Sequence, residues 1–161
     1  VNGTVFTDFE QPVFNHAVVD ELSGITAVHM TLDGNAYNPG TKVDLAAKLG
    51  DHTLSLTVTD KAGNSITHNF MFRVTTSIQS IDSLIERYTT LGDIRGPLLP
   101  QLSNSLKQVQ HHFSRGSKEQ ALKHLEDFIK HLNNKAMEEN ITDAVKVILN
   151  KDAQEVDGQL K

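Results

Sequence analysis

Hydrophobic residues in this chain recur at every second position up to about residue 75, and at every third or fourth position after it. Side chains alternate across a strand and return to one face of a helix about every 3.6 residues, so the two rhythms require different backbones. Val28, Met30 and Leu32 alternate with Ala27, His29 and Thr31, and Leu54, Leu56 and Val58 alternate with Ser55, Thr57 and Thr59. Ile66, His68, Phe70, Phe72 and Val74 form a third alternating set. Turn residues separate the sets: Asp33-Gly34-Asn35, Asn38-Pro39-Gly40, Gly50-Asp51 and Lys61-Ala62-Gly63-Asn64. Short alternating strands with turns at this spacing predict an antiparallel β-sandwich over residues 1–75.

After Thr75 the apolar positions fall into four stripes at three- and four-residue steps. These are Ile78 to Tyr88, Leu98 to Phe113, Ala121 to Leu132, and Ile141 to Leu149 with an extension to Val156. Each predicts an amphipathic helix, and short connections predict an antiparallel bundle of three to four helices over 76–161. A stripe of this length is marginal as an isolated helix in water, so the stripes must bury against one another. Ser77 is placed to cap the first helix, with Gly92 closing it. Gly96-Pro97 suits an entry into the second, and Pro100 still falls in the first turn, where a missing N–H costs little. Gly116 is placed to end the second helix, Ser117 with Gln120 predicts a capping box for the third, and Thr142 caps the fourth with Asp143 beside it. Thr75-Thr76-Ser77 is the joint, too short for free tumbling of two domains.

Composition narrows the functional classes. The chain of 161 residues has no Cys, which excludes disulfides and thiolate metal sites. The formal net charge is −5, with −4 in residues 1–75 and −1 in 76–161. Neither half carries the basic surplus of a phosphate-binding surface, so no nucleic acid partner is expected. No apolar run approaches the roughly 18 residues that span a bilayer. The chain opens without Met or a signal peptide; it is read as a piece of a larger product whose targeting signal lies outside it. There is no Trp, and Tyr37 and Tyr88 are the two tyrosines. Of these, Tyr37, in the Asn35–Gly40 loop, is the candidate platform for a sugar ring, while Tyr88 reads as bundle core.

Eight histidines and several acidic pairs invite a search for chemistry. His111 and His112 are adjacent, hence ~100° apart on a helix, and His124 and His131 stand two turns, ~10 Å, apart. No His-Glu-x-x-His is present, so surface histidine is the simpler reading and no metal ligands are assigned. His29 faces outward, while His52 and His68 share parity with core residues and read as hydrogen-bonded structural groups at the edge of the sandwich. Asp33-Gly34-Asn35 and Asp60 to Asn64 lack the alternating ligands of a calcium loop and read as tight turns. A structural calcium joining Asp20, Asp60 or Asp33 across loops is the one cofactor left open. Glu126-Asp127 and Glu138-Glu139 read as solvated faces, and no residue is marked as a catalytic nucleophile.

Two resemblances add to this reading. Asp20-Glu21-Leu22-Ser23-Gly24-Ile25, Thr31-Leu32-Asp33-Gly34, Gly50-Asp51-His52-Thr53-Leu54 and Thr57 through Asn64 mark a stretch of roughly residues 11–74. This stretch resembles the Ig-like modules of secreted bacterial multidomain proteins. Leu102 to Leu106, Gly116 through Ala121-Leu122, Leu125 to Phe128-Ile129, and Ile141-Thr142 carry a second likeness. They resemble the FIMAH module, although the last helix, with Lys146, Lys151, Asp152 and Glu155, is more polar than that pattern. Both resemblances imply an accessory, non-catalytic segment of a larger enzyme, secreted or held at the surface of a Gram-positive bacterium. The implied parent is a polysaccharide-degrading hydrolase or lyase, and the implied role is spacing, attachment or substrate targeting. The alternatives are a glycan- or cell-wall-binding module and a protein-docking helical bundle. The fragment is expected to be a monomer and not itself an enzyme.

Overall fold

A computed structural model describes residues 2–17 and 24–161. The chain divides into two compact units, Val1–Thr75 and Thr76–Lys161. The first contains β1 (Thr4–Thr7), β2 (Ile25–Leu32), β3 (Asn35–Ala36), β4 (Gly50–Asp60) and β5 (Ser65–Thr75). They form one five-stranded sheet in the order β1-β5-β4-β2-β3. The sheet is mixed, because β1 runs parallel to β5 while the other pairs are antiparallel. The register pairs Leu54 with Leu32 and Phe70, and Thr57 with His29 and Thr67, so one face is apolar and the other polar.

The core lies on the apolar face and contains Met30, Leu32, Leu54, Phe72 and Val74 from the strands. Phe14, Tyr37, Val43 and Leu45 close it from the other side. Phe14, Val43 and Leu45 belong to segments with no ladder beyond an isolated Val13–Lys42 bridge, and Tyr37 follows the two-residue β3, its N–H donating to Met30 O. The predicted two-sheet antiparallel sandwich is therefore, among the described residues, one mixed sheet faced by irregular chain. The physical reason is visible at the bridge. Pro12 lacks an N–H, and the Phe14 N–H bonds the Tyr37 hydroxyl at 3.0 Å where a strand carbonyl would otherwise stand. A side chain thus replaces the ladder.

Turn chemistry follows the sequence. Asp33 and Gly34 have φ of 51° and 79°, the geometry of a two-residue hairpin turn that Asp-Gly favours. Between β4 and β5 the Asp60 carboxylate receives the Asn64 N–H at 2.8 Å and the Asn64 amide at 2.9 Å. The far end of that hairpin is less covered than its pattern predicts. Ile66 is 58% exposed and His68 is exposed too, so the apolar set begins only at half-buried Phe70.

The second unit contains α1 (Ile78–Leu91), α2 (Leu98–Ser114), α3 (Lys118–Leu132), a 3-10 helix (Lys135–Asn140) and α4 (Asp143–Leu160). α1 packs beside α2 and α4, and α3 packs beside α2 and α4. The buried seam runs through Ile81, Leu84, Leu102, Leu106, Leu125, Phe128, Leu149 and Ala153. Leu99, Leu122, Ile129 and Ile148 lie half-buried at its borders. Ser77 and Ser80 form a reciprocal capping box on α1: Ser80 N–H donates to Ser77 Oγ and Ser77 N–H to Ser80 Oγ. The predicted box at Ser117 is absent. Ser117 has φ −84° and ψ 68°, away from the extended cap geometry, because its backbone closes the preceding helix. Ser117 N–H donates to His112 O and Gly116 N–H to Phe113 O, a Schellman motif with Gly116 at φ 75°. The α1–α2 connection is tied to the start of α4 by an Ile94–Ile141 bridge and by Arg95 donating to Glu139 O. Among the described residues no helix is long and apolar enough to cross a membrane.

Candidate functional site

Three groupings in the first unit bear on chemistry. At the β2–β3 turn, His52 Nδ1 lies 2.7 Å from Asp33 Oδ2, and its Nε2 lies 2.7 Å from Lys48 O. The ring stacks on Phe72 at 5.3 Å. Asp33 spends its other oxygen on the Thr53 N–H at 2.9 Å. Partial burial pushes the Asp33 carboxyl up, but the Thr53 N–H and the bond to and charge of His52 outweigh it and hold the group below its usual value. An Asp–His pair becomes a general base when Nε2 faces a nucleophile or substrate. Here Nε2 faces a backbone carbonyl, so the pair braces a turn.

Tyr37 occupies the next grouping. Its ring is 9% exposed and packs edge-on against Phe14 at 6.0 Å. Its hydroxyl donates to Thr41 O at 2.6 Å. The expected sugar platform therefore presents no free ring face; it is a core residue whose polar end replaces a missing ladder bond. Of the carboxylates considered for calcium, Asp20 lies outside the described residues. Asp60 opposes Ile25 and Asp33 follows Leu32, seven residues along β2, or about 23 Å. Asp33 and Asp60 thus cannot share one ion. The side-chain amide and N–H of Asn64 hold the Asp60 carboxyl below its ordinary value, as expected of a turn brace.

The third grouping is the polar face of the sheet. Three side-chain rungs cross β4 and β5: Ser55–Asn69 at 2.7 Å, Thr57–Thr67 at 2.8 Å and Thr59–Ser65 at 2.7 Å. Thr31, His29 and Ala27 extend the same three rows onto β2. The nine positions hold no Lys, Arg, Asp or Glu. At the other end of this face Arg73 makes a two-pronged bond to Asp51, both at 2.6 Å. The hydrogen bond to Arg73, then its charge, keeps the exposed Asp51 carboxyl below the usual value.

In the second unit the histidines gather across two helices. His112 of α2 stacks on His124 of α3 with centroids 5.2 Å apart and planes within 12°. His111 meets His112 edge-on at 5.2 Å. The sequence pairs His111 with His112 and His124 with His131; the hairpin pairs His112 with His124. The signal was present: His112 follows Val109 by three residues and His124 follows Ala121 by three, so each extends the buried seam of its helix. Lone pairs of near-parallel rings lie in separate planes and do not converge on one metal ion. Among the described residues no group of three or more His, Asp or Glu is placed to hold one.

One family match spans α1, α2, α3 and most of α4. Residues 78–157 match the FIMAH domain. The match runs from the first residue of α1 to the last turn of α4 and takes in the more polar final helix. The stacked histidines therefore sit on the central hairpin of the FIMAH region. No curated protein matches the chain.

Proposed function

We propose that this chain is a non-catalytic accessory segment of a larger exported bacterial enzyme, in which the first unit acts as a spacer and the FIMAH unit as an attachment or substrate-targeting module. One observation carries the reading: two compact units meet at Thr75–Thr76, each with its own buried core, and the second matches a family at domain scale. The chemistry of the side chains supports it. Asp33, His52 and Asp60, which would be the raw material of a site, are engaged in bracing turns. The two-layer core of the first unit supports reading it as an Ig-like module with one layer reduced to loops. The parent is a polysaccharide-degrading hydrolase or lyase on the strength of the resemblance in sequence. Deleting the segment from its parent should leave turnover of a soluble substrate unchanged and reduce activity on the insoluble substrate. Loss of soluble-substrate turnover would reject the accessory role.

A second reading is favoured by the hydroxyl rungs. The rungs form a patch without charges or large apolar groups, followed along the same face by exposed Met71 and the Arg73–Asp51 pair. Such a patch suits a neutral hydroxylated polymer held by hydrogen bonds, and it takes the place of Tyr37 as the glycan-facing surface. Under this reading the intact chain is retained on an insoluble neutral polysaccharide, and Thr57→Lys with Thr67→Lys abolishes retention. Equal retention of the double variant counts against it.

A further inference from the structure

We propose that the stacked His112–His124 pair is an acid-sensitive latch on the α2–α3 hairpin, closed when the rings are neutral and loosened when they acquire protons. The stack bridges two helices, so repulsion between the rings acts on the hairpin and not on one side chain. His112 is also tied to the turn, because its carbonyl receives the Ser117 N–H that completes the Schellman motif. A ring pushed away from His124 pulls on the residue that closes α2.

The surroundings sharpen the response. On α2, His111 lies edge-on to His112, and Arg115 stands one turn further on. On α3, Asp127 Oδ2 lies 3.9 Å from His124 Nδ1, and the other Asp127 oxygen meets Lys130 at 3.2 Å. Protonation of the three histidines adds positive charge beside Arg115, while Asp127, which pairs with His124, is already engaged by Lys130. Desolvation first, then the positive charges of His124, His111 and Arg115, lower the His112 value from the ordinary 6.5. The folded hairpin thus disfavours the proton that the unfolded chain accepts. Its stability is complete above the ordinary histidine range and falls as the pH drops through 6.5 towards the depressed folded value. Val109, Ala121, Leu125 and Phe128 remain buried beneath, so the opening is confined to the tip of the hairpin.

The test is a histidine titration and amide-exchange comparison by NMR on the intact chain at pH 7.5 and pH 5. The latch predicts that His112 titrates below an ordinary histidine. It also predicts that protection factors from 112 to 121 fall several-fold at pH 5 relative to those of α1 and α4. His112→Phe keeps an aromatic ring on His124 without the proton and should remove the fall; His124→Phe should do the same from the other side. Protection unchanged between the two pH values, an equal fall in both variants, or a His112 titrating at or above the ordinary value would overturn the proposal.

Discussion

Two side chains hold the loop layer and the first turn of the sheet, and each makes a measurable prediction. Tyr37→Phe keeps the ring that packs on Phe14 but strands the Phe14 N–H and Thr41 O. Leaving buried polar groups unpaired costs about 1–3 kcal/mol, so the denaturation midpoint of the first unit should drop accordingly with no change in fold. The sequence marks Tyr37 as a loop residue but carries no sign of its partner, because Phe14 lies 23 residues away and no local signal links them. Asp33 predicts an acid limb. Its carboxyl is held below the ordinary 3.8, so its contribution to stability is present above that value and is lost as the pH falls through the folded one. Unfolding midpoints between pH 5 and pH 2 should fall less steeply for Asp33→Asn than for the parent chain. Asp51 and Asp60, also held below their usual values, keep some slope in the variant. Equal slopes would remove Asp33 from the account.

The start of α1 was legible from its local signal, the start of α3 was misread because two elements share Ser117, and Thr142 begins α4 in extended geometry without a side-chain cap bond. Ser77 caps α1 as its sequence predicts, with Ser80 returning the bond. Ser77→Ala should therefore cost about 1 kcal/mol, read from thermal unfolding of the helical unit. A Ser117→Ala change should cost much less, because Ser117 contributes its backbone N–H and no side-chain cap. Its Ser-x-x-Gln pattern looks like a box, but Gly116 commits the preceding residues to closing α2 first. The same competition explains the histidines. Within each helix their spacing implies no contact, and only the hairpin turn at 115–117 brings α2 and α3 side by side. In the sheet, parity identified the buried face at Met30, Leu32, Leu54, Phe72 and Val74. It overestimated the face at Ile66 and His68, because parity reports which side a residue faces and not whether anything covers it there.

At the scale of the whole molecule, the change of hydrophobic rhythm near residue 75 separates a sheet unit from a helical one, and the helical one matches FIMAH over 78–157. The second layer of the sheet was not legible, since Val43 and Leu45 alternate like a strand while Pro12 and the Tyr37 hydroxyl prevent a ladder. Each unit buries its own core, which predicts that each folds without the other. The direct measurement is far-UV circular dichroism and thermal unfolding of residues 76–161 produced alone, beside the intact chain. The isolated piece should give a helical spectrum and a single cooperative transition, with the midpoint it has in the whole chain. An isolated 76–161 that is unfolded, or that melts without cooperativity, would contradict independent folding.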